Sequence, residues 1–117
     1  MFWTVTQVAI GGALGSVLRF LTVQTVGAPL GTLAVNVAGS LAMGALYVLL
    51  ATRTHLSPLL LTGVLGGFTT FSAFSLDALK LWQSGQTPQA LVYVAASVLL
   101  SLAAVALGAA LTKGALA

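Results

Sequence analysis

The sequence predicts an all-α membrane protein, a single domain over residues 1–117 with four transmembrane helices, the third broken near its middle. Three observations predict it. Of 117 residues, 59% are hydrophobic and only 4% are charged, whereas a soluble domain carries about a quarter charged residues. A chain this small has a high surface-to-volume ratio, so in water much of that apolar surface would stay exposed and drive aggregation. A bilayer removes the problem. Stretches of about 20 apolar residues, the length that crosses the hydrocarbon core, recur four times between turn-forming residues. The third stretch is interrupted by glycines and threonines where leucine and valine would serve a plain span.

The first span covers residues 4–26 and stops at the breaker Gly27-Ala28-Pro29; the second covers 32–51. Arg53, His55, Ser57 and Pro58 mark the next turn, and the third span follows over 59–82. Ser84-Gly85-Gln86-Thr87-Pro88 forms the last loop before a fourth span over 89–111. The N-terminus lacks the basic n-region of a cleaved signal peptide and is read as the first retained helix. With no cysteine, a disulfide framework and thiolate metal sites are excluded.

Charge is sparse: Arg19, Arg53, Lys80 and Lys113 against the single acid Asp77. No basic cluster of the kind that binds nucleic acid is present. With four spans the termini share a side with Arg53 and Lys113, and Lys80 falls opposite together with Arg19, which can snorkel toward the first short loop. Orientation follows an excess of Lys and Arg on the cytoplasmic side, so this balance instructs insertion weakly. Dual topology, giving an antiparallel homodimer, is one outcome. The other is a weak bias to one side, with Arg19 too deep to count.

The interruption is GVLGGFTTFSAFS, Gly63 to Ser75. Adjacent glycines weaken a helix by about 1 kcal/mol each relative to alanine, and β-branched threonines recover little of it. A break near Gly66 to Thr70 follows. Backbone groups freed at mid-membrane are tolerated only where protein buries them, a cavity receives them or an ion is held. Phe71 and Phe74 then share one face of the following helix. Taken alone, the glycine pair also reads as a device for close helix packing.

Asn36 lies about five residues inside the second span, where its amide needs partners; helix-helix glue is its default role. Gly11 with Gly15, and Ser40 with Gly44, form small-residue ridges for close approach. Tyr93, Ser97 and Ser101 recur every four residues and line up three hydroxyls along about 12 Å of the fourth helix. Arg19 is costly in a span unless paired, and a vestibule or interface suits it better than a constriction, where a cation would hold an anion too tightly. His55 reads as a solvated loop residue, Asp77 and Lys80 as a surface pair, and Trp3 and Trp82 as interfacial anchors. No nucleophile-base pair, phosphate loop or carboxylate dyad appears, so an enzyme is not expected.

GGALGSVLRF (Gly11 to Phe20), GTLAVNVAGS (Gly31 to Ser40), GGFTTFSAFS (Gly66 to Ser75) and the Tyr93, Ser97, Ser101 ladder occur in an order that resembles the Fluc/CrcB family of fluoride channels along essentially the whole chain. The resemblance implies an antiparallel dual-topology homodimer in the bacterial inner membrane, exporting fluoride passively through two pores. It implies an anion pathway of Asn36, Thr70, Phe71, Ser72, Phe74, Tyr93, Ser97 and Ser101, with Arg19 at a vestibule or interface. It further implies a structural sodium ion at the dimer centre, held by the backbone carbonyls of Gly66 and Thr69. Ala73 departs from the family pattern: it stands where threonine is common, which removes a hydroxyl beside the aromatic pair.

A small multidrug transporter shares the length and four-span layout, but that family relies on a membrane-embedded glutamate in its first helix and this chain has none. A non-transporting adaptor would use Gly66-Gly67 and Asn36 for packing alone.

Overall fold

The computed structural model describes residues 1–52 and 54–117, so Arg53, counted above in the charge balance, lies outside the described residues. Helix α1 spans Phe2–Val26 and α2 spans Leu30–Leu49. A single 3-10 turn over Thr54–Leu56 leads into the third span. Its first half, α3, is π-helical over Pro58–Leu65 and closes with one α-turn, Gly66–Phe68. Its second half, α4, is Phe71–Gln83; the last helix, α5, is Thr87–Leu116. All four spans are long and apolar enough to cross a membrane. At 30 residues, α5 is about 45 Å long and exceeds a hydrocarbon core of about 30 Å.

The expected spans match these helices to within two residues at most ends, the exception being α5, which continues five residues beyond Leu111. Terminators follow local chemistry. Gly27 and Gly85 take positive φ, 89° and 82°, a region open to glycine at no steric cost. After α4 the Gly85 N–H donates to the Trp82 carbonyl and the Gln86 N–H to the Leu81 carbonyl, the two bonds of a Schellman cap.

Packing runs through glycine. An added Cβ at Gly11 would lie 2.4 Å from the Leu59 carbonyl oxygen, and one at Gly15 2.0 Å from that of Val64, so α1 and α3 meet backbone to backbone. Gly44 and Gly108 do the same for α2 and α5, with Cβ positions 2.0 Å from the Val105 oxygen and 2.1 Å from the Leu41 oxygen. Lipid is as apolar as leucine, so association rests on such close van der Waals contact. The expected ridge roles of Gly11, Gly15 and Gly44 hold; Ser40 instead borders a cavity.

Helix α2 is central. It touches α1, α3, α4 and α5, and it meets the third span at the break through Asn36. The break lies at Thr69 and Thr70, both extended, at φ −87°, ψ 157° and φ −153°, ψ 122°. Gly66 and Gly67 remain helical. Gly67 serves close approach, its Cβ position being 2.6 Å from the Gly12 carbonyl oxygen, whereas at Gly66 the nearest such atom is 3.6 Å away. The glycine pair therefore does not form the break itself.

Candidate functional site

What stabilises the break is a side chain. Asn36, on α2, holds the Thr70 peptide from both sides: its Nδ2 donates to the Thr70 carbonyl at 2.9 Å and its Oδ1 accepts from the Thr70 N–H at 2.7 Å. One amide side chain thus imitates a neighbouring backbone and satisfies groups that lipid could not. Thr70 then caps α4, its Oγ1 accepting from the Ala73 N–H at 3.1 Å and lying 3.4 Å from Ser72 Oγ. Thr69 Oγ1 donates back to the Leu65 carbonyl at 2.9 Å.

Across the break, Arg19 Nε donates to the Gly67 carbonyl at 3.0 Å. Its Nε thus engages the carbonyl end of α3, not the first short loop. A guanidinium there complements the negative end of the helix dipole.

Beside the break lies an open cavity of about 290 Å³. Asn36 and Ser40 line it from α2, Thr69 to Phe71 and Phe74 from the third span, and Ser97 and Ser101 from α5. Helix α5 places Tyr93, Ser97 and Ser101 on the face turned inward; the first two are buried and Ser101 half-buried. Ser97 Oγ is buried without a hydrogen-bond partner among the described residues. An orphan hydroxyl of this kind is uncommon in proteins and marks a place where a ligand or water would bond.

Phe71 and Phe74 sit together, their ring centroids 5.3 Å apart, and Phe74 continues onto Tyr93 at 5.4 Å. Phe74 is 7% exposed but Phe71 is 77% exposed and faces out of the chain. Of the expected pathway residues, Asn36, Thr70, Phe71, Phe74, Ser97 and Ser101 meet at one cavity. Tyr93 joins through Phe74, and Ser72 through Thr70.

Asp77, expected as a surface partner of Lys80, is instead buried and accepts a hydrogen bond from the Tyr93 hydroxyl at 3.2 Å. Its position three residues after Phe74 placed it on the aromatic face, a signal the charge pattern obscured. Gln7 was also missed. It is buried in α1 and donates to the His55 carbonyl at 3.1 Å, tying the loop before α3 to the first helix. The His55 side chain itself is exposed, as expected.

A family model described as CrcB-like protein, Camphor Resistance (CrcB), matches residues 6–109. The chain is 57% identical over 118 residues to a protein of Paracoccus denitrificans (strain Pd 1222) named fluoride-specific ion channel FluC, with 95% of each covered. A protein of that name from Ruegeria sp. (strain TM1040) is 49% identical over 125 residues, covering 99% of both. Another, from Rhizobium meliloti (strain 1021), is 51% identical over 116 residues, covering 91% of this chain and 93% of its own. With four apolar spans, a broken third helix and likeness along nearly its full length, the chain belongs to the CrcB family of membrane proteins.

Proposed function

We propose that the chain is a fluoride-selective channel that lets cytoplasmic fluoride leave passively through two pores in an antiparallel homodimer. One observation carries this: a cavity beside the break in the third span, bordered by hydroxyls, an amide and aromatic rings, with no ionised side chain among its lining residues. Fluoride is small and strongly hydrated, so a selective path must replace its water with donors yet release it. Hydroxyl and amide N–H groups supply the donors. Phenylalanine ring edges carry the positive part of the quadrupole and add weak anion contacts without a charge. Outward movement of an anion from a negative interior is favourable by about 2.3 kcal/mol per 100 mV, so no coupled energy source is needed.

Dimerisation follows from what one chain leaves open. Asn36, Ser40, Thr70 and Ser101 are only half-buried and Phe71 is exposed at the depth of the break. Polar backbone and hydroxyls cannot face lipid tails there. A second copy, inserted in the opposite orientation, closes the cavity.

The sodium expectation can be tested on the backbone. In a continuous helix the Gly66 carbonyl would accept from the Thr70 N–H and the Thr69 carbonyl from the Ala73 N–H. Those donors are taken by Asn36 Oδ1 and Thr70 Oγ1, leaving both carbonyls without their helical donors, and Gly66 is exposed. The two carbonyls therefore suit a hard cation that takes oxygen ligands. Sodium bound by Gly66 and Thr69 of both chains would offset the carbonyl ends and join the subunits.

Fluoride efflux from proteoliposomes tests the proposal. Flux selective for fluoride over chloride is expected; its absence from a well-folded dimer excludes the channel. Drug-dependent proton flux would point to a multidrug exporter.

A further inference from the structure

At the end of the molecule that carries the α1–α2 and α4–α5 loops, two cavities adjoin and share Pro29 and Leu81. The larger, about 610 Å³, is an apolar slot between the start of α2, the end of α4 and the first turns of α5, walled by Leu30, Leu33, Leu81, Val92 and Ala96. The amides of Gln86 and Gln89 stand at its loop end, and from Gln89 to Ala96 it runs about 10 Å along α5. The smaller cavity, about 380 Å³, is bordered by Asp77, Lys80 and Ser84.

The slot opens where Leu30 and Val92 are exposed. It lies on a different face of α5 from the cavity at the break. Val92 and Ala96 precede Val98 and Leu102, which border that cavity, by six residues each, about 120° round the helix. A second copy that closes the break cavity therefore leaves the slot to the bilayer. Trp82, two residues beyond Lys80 and exposed, sets this end at headgroup level. Below that level an open apolar slot receives lipid tails.

The charges at its mouth distinguish this slot from an ordinary lipid-facing crevice. Asp77 and Lys80 lie one turn apart on α4, a spacing of about 5–6 Å between Cβ atoms. Asp77 Oδ2 accepts from Tyr93, and no ion pair joins this carboxylate to Lys80 among the described residues. A second carboxylate oxygen and an exposed ammonium are thus offered to one cavity. A ligand that matches them carries a cation and an anion a few ångströms apart and an apolar tail.

We propose that the paired cavities bind one phosphatidylethanolamine molecule, its phosphate on Lys80, its ammonium donating to Asp77 and one acyl chain in the slot. Hydrogen bonds between ionised partners are the strong ones, and they set the choice of headgroup. Choline carries the same two charges but no N–H to donate. A glycerol headgroup lacks the cation and brings its phosphate toward Asp77 uncompensated. The site depends on the bilayer alone and not on which ion the chain conducts.

Native mass spectrometry of the whole protein tests this, with the chain purified in detergent and given equal amounts of phosphatidylethanolamine, phosphatidylcholine and phosphatidylglycerol. Phosphatidylethanolamine is expected to be retained at least fivefold over each of the others. Lys80→Gln, which removes the cation, and Val92→Trp, which fills the slot from an exposed position, are each expected to lower its retention at least fivefold. Equal retention of the three lipids, a preference for phosphatidylglycerol or phosphatidylcholine, or undiminished retention in either variant overturns the proposal. Disulfide cross-linking of Val92→Cys chains across a dimer would put a second copy on the slot and overturn it too. Should a variant not fold, the lipid preference of the unmodified chain decides.

Discussion

At the scale of single residues, Asn36 matters most. Sequence assigned it either to packing or to a pathway; in the fold its Oδ1 and one N–H of its Nδ2 hold the Thr70 backbone, and the second Nδ2 N–H remains for the cavity it lines. Asn36→Ala leaves the Thr70 N–H unpaired in an apolar setting, at a cost of about 1–3 kcal/mol, while the Thr70 carbonyl keeps its bond as the N-cap of α4. The variant is expected to lose thermal stability in detergent and most of its fluoride efflux together. Phe71→Ile and Phe74→Ile separate the two functions of the aromatic pair. Phe71 is exposed, so its substitution is expected to suppress efflux with no loss of monomer stability. Phe74 is buried against Tyr93, and its loss is expected to suppress efflux and lower stability by about 1 kcal/mol as well. Undiminished conduction in both variants would remove the rings from the pathway. Ala73 supplies only its backbone N–H to Thr70, so the hydroxyl missing at this position takes nothing from the cap.

At the scale of elements, the glycines divide by what stands opposite them. Gly15→Ala would put a methyl 2.0 Å from the Val64 carbonyl oxygen, whereas a Cβ at Gly12 meets nothing within 4 Å. Gly15→Ala is expected to separate α1 from α3 and lower the melting temperature by several degrees, with Gly12→Ala unchanged; thermal denaturation in detergent checks the pair. The sequence showed these glycines and their spacing but not which helix each would meet. The same holds for the break. Its neighbourhood was legible from GGFTT, yet the extended residues are the threonines, because Asn36 and the Thr70 hydroxyl, donors and acceptors from other positions, replace the helix's own bonds there. The π-helical start of α3 left no pattern in the sequence, since a change from four-residue to five-residue bonding alters neither composition nor mean hydropathy.

At the scale of the whole molecule, the proposed dimer can be tested at Gly66. One chain leaves Gly66 exposed, with room for a methyl inside its own fold. Gly66→Ala is therefore expected to leave the monomer's helix content and stability unchanged and to weaken dimerisation at least tenfold, measured by subunit exchange in micelles. Unaltered dimer affinity would place the contact elsewhere. Antiparallel assembly requires both orientations in one membrane, so a reporter tag on the C-terminus is expected to be accessible from both sides.

By itself the sequence determined the presence of four spans and the set of hydroxyl, amide and aromatic residues from which the cavity is built, because length and hydropathy decide what a bilayer accepts and periodicity decides which side chains share a helix face. Tertiary structure alone decided where each lone polar group found its partner. Arg19 meets Gly67, Asp77 meets Tyr93 and Asn36 meets Thr70 at sequence separations of 48, 16 and 34 residues. In an apolar medium a polar group must be satisfied by whatever the packing brings within about 3 Å, and that distance is set only when the helices cross.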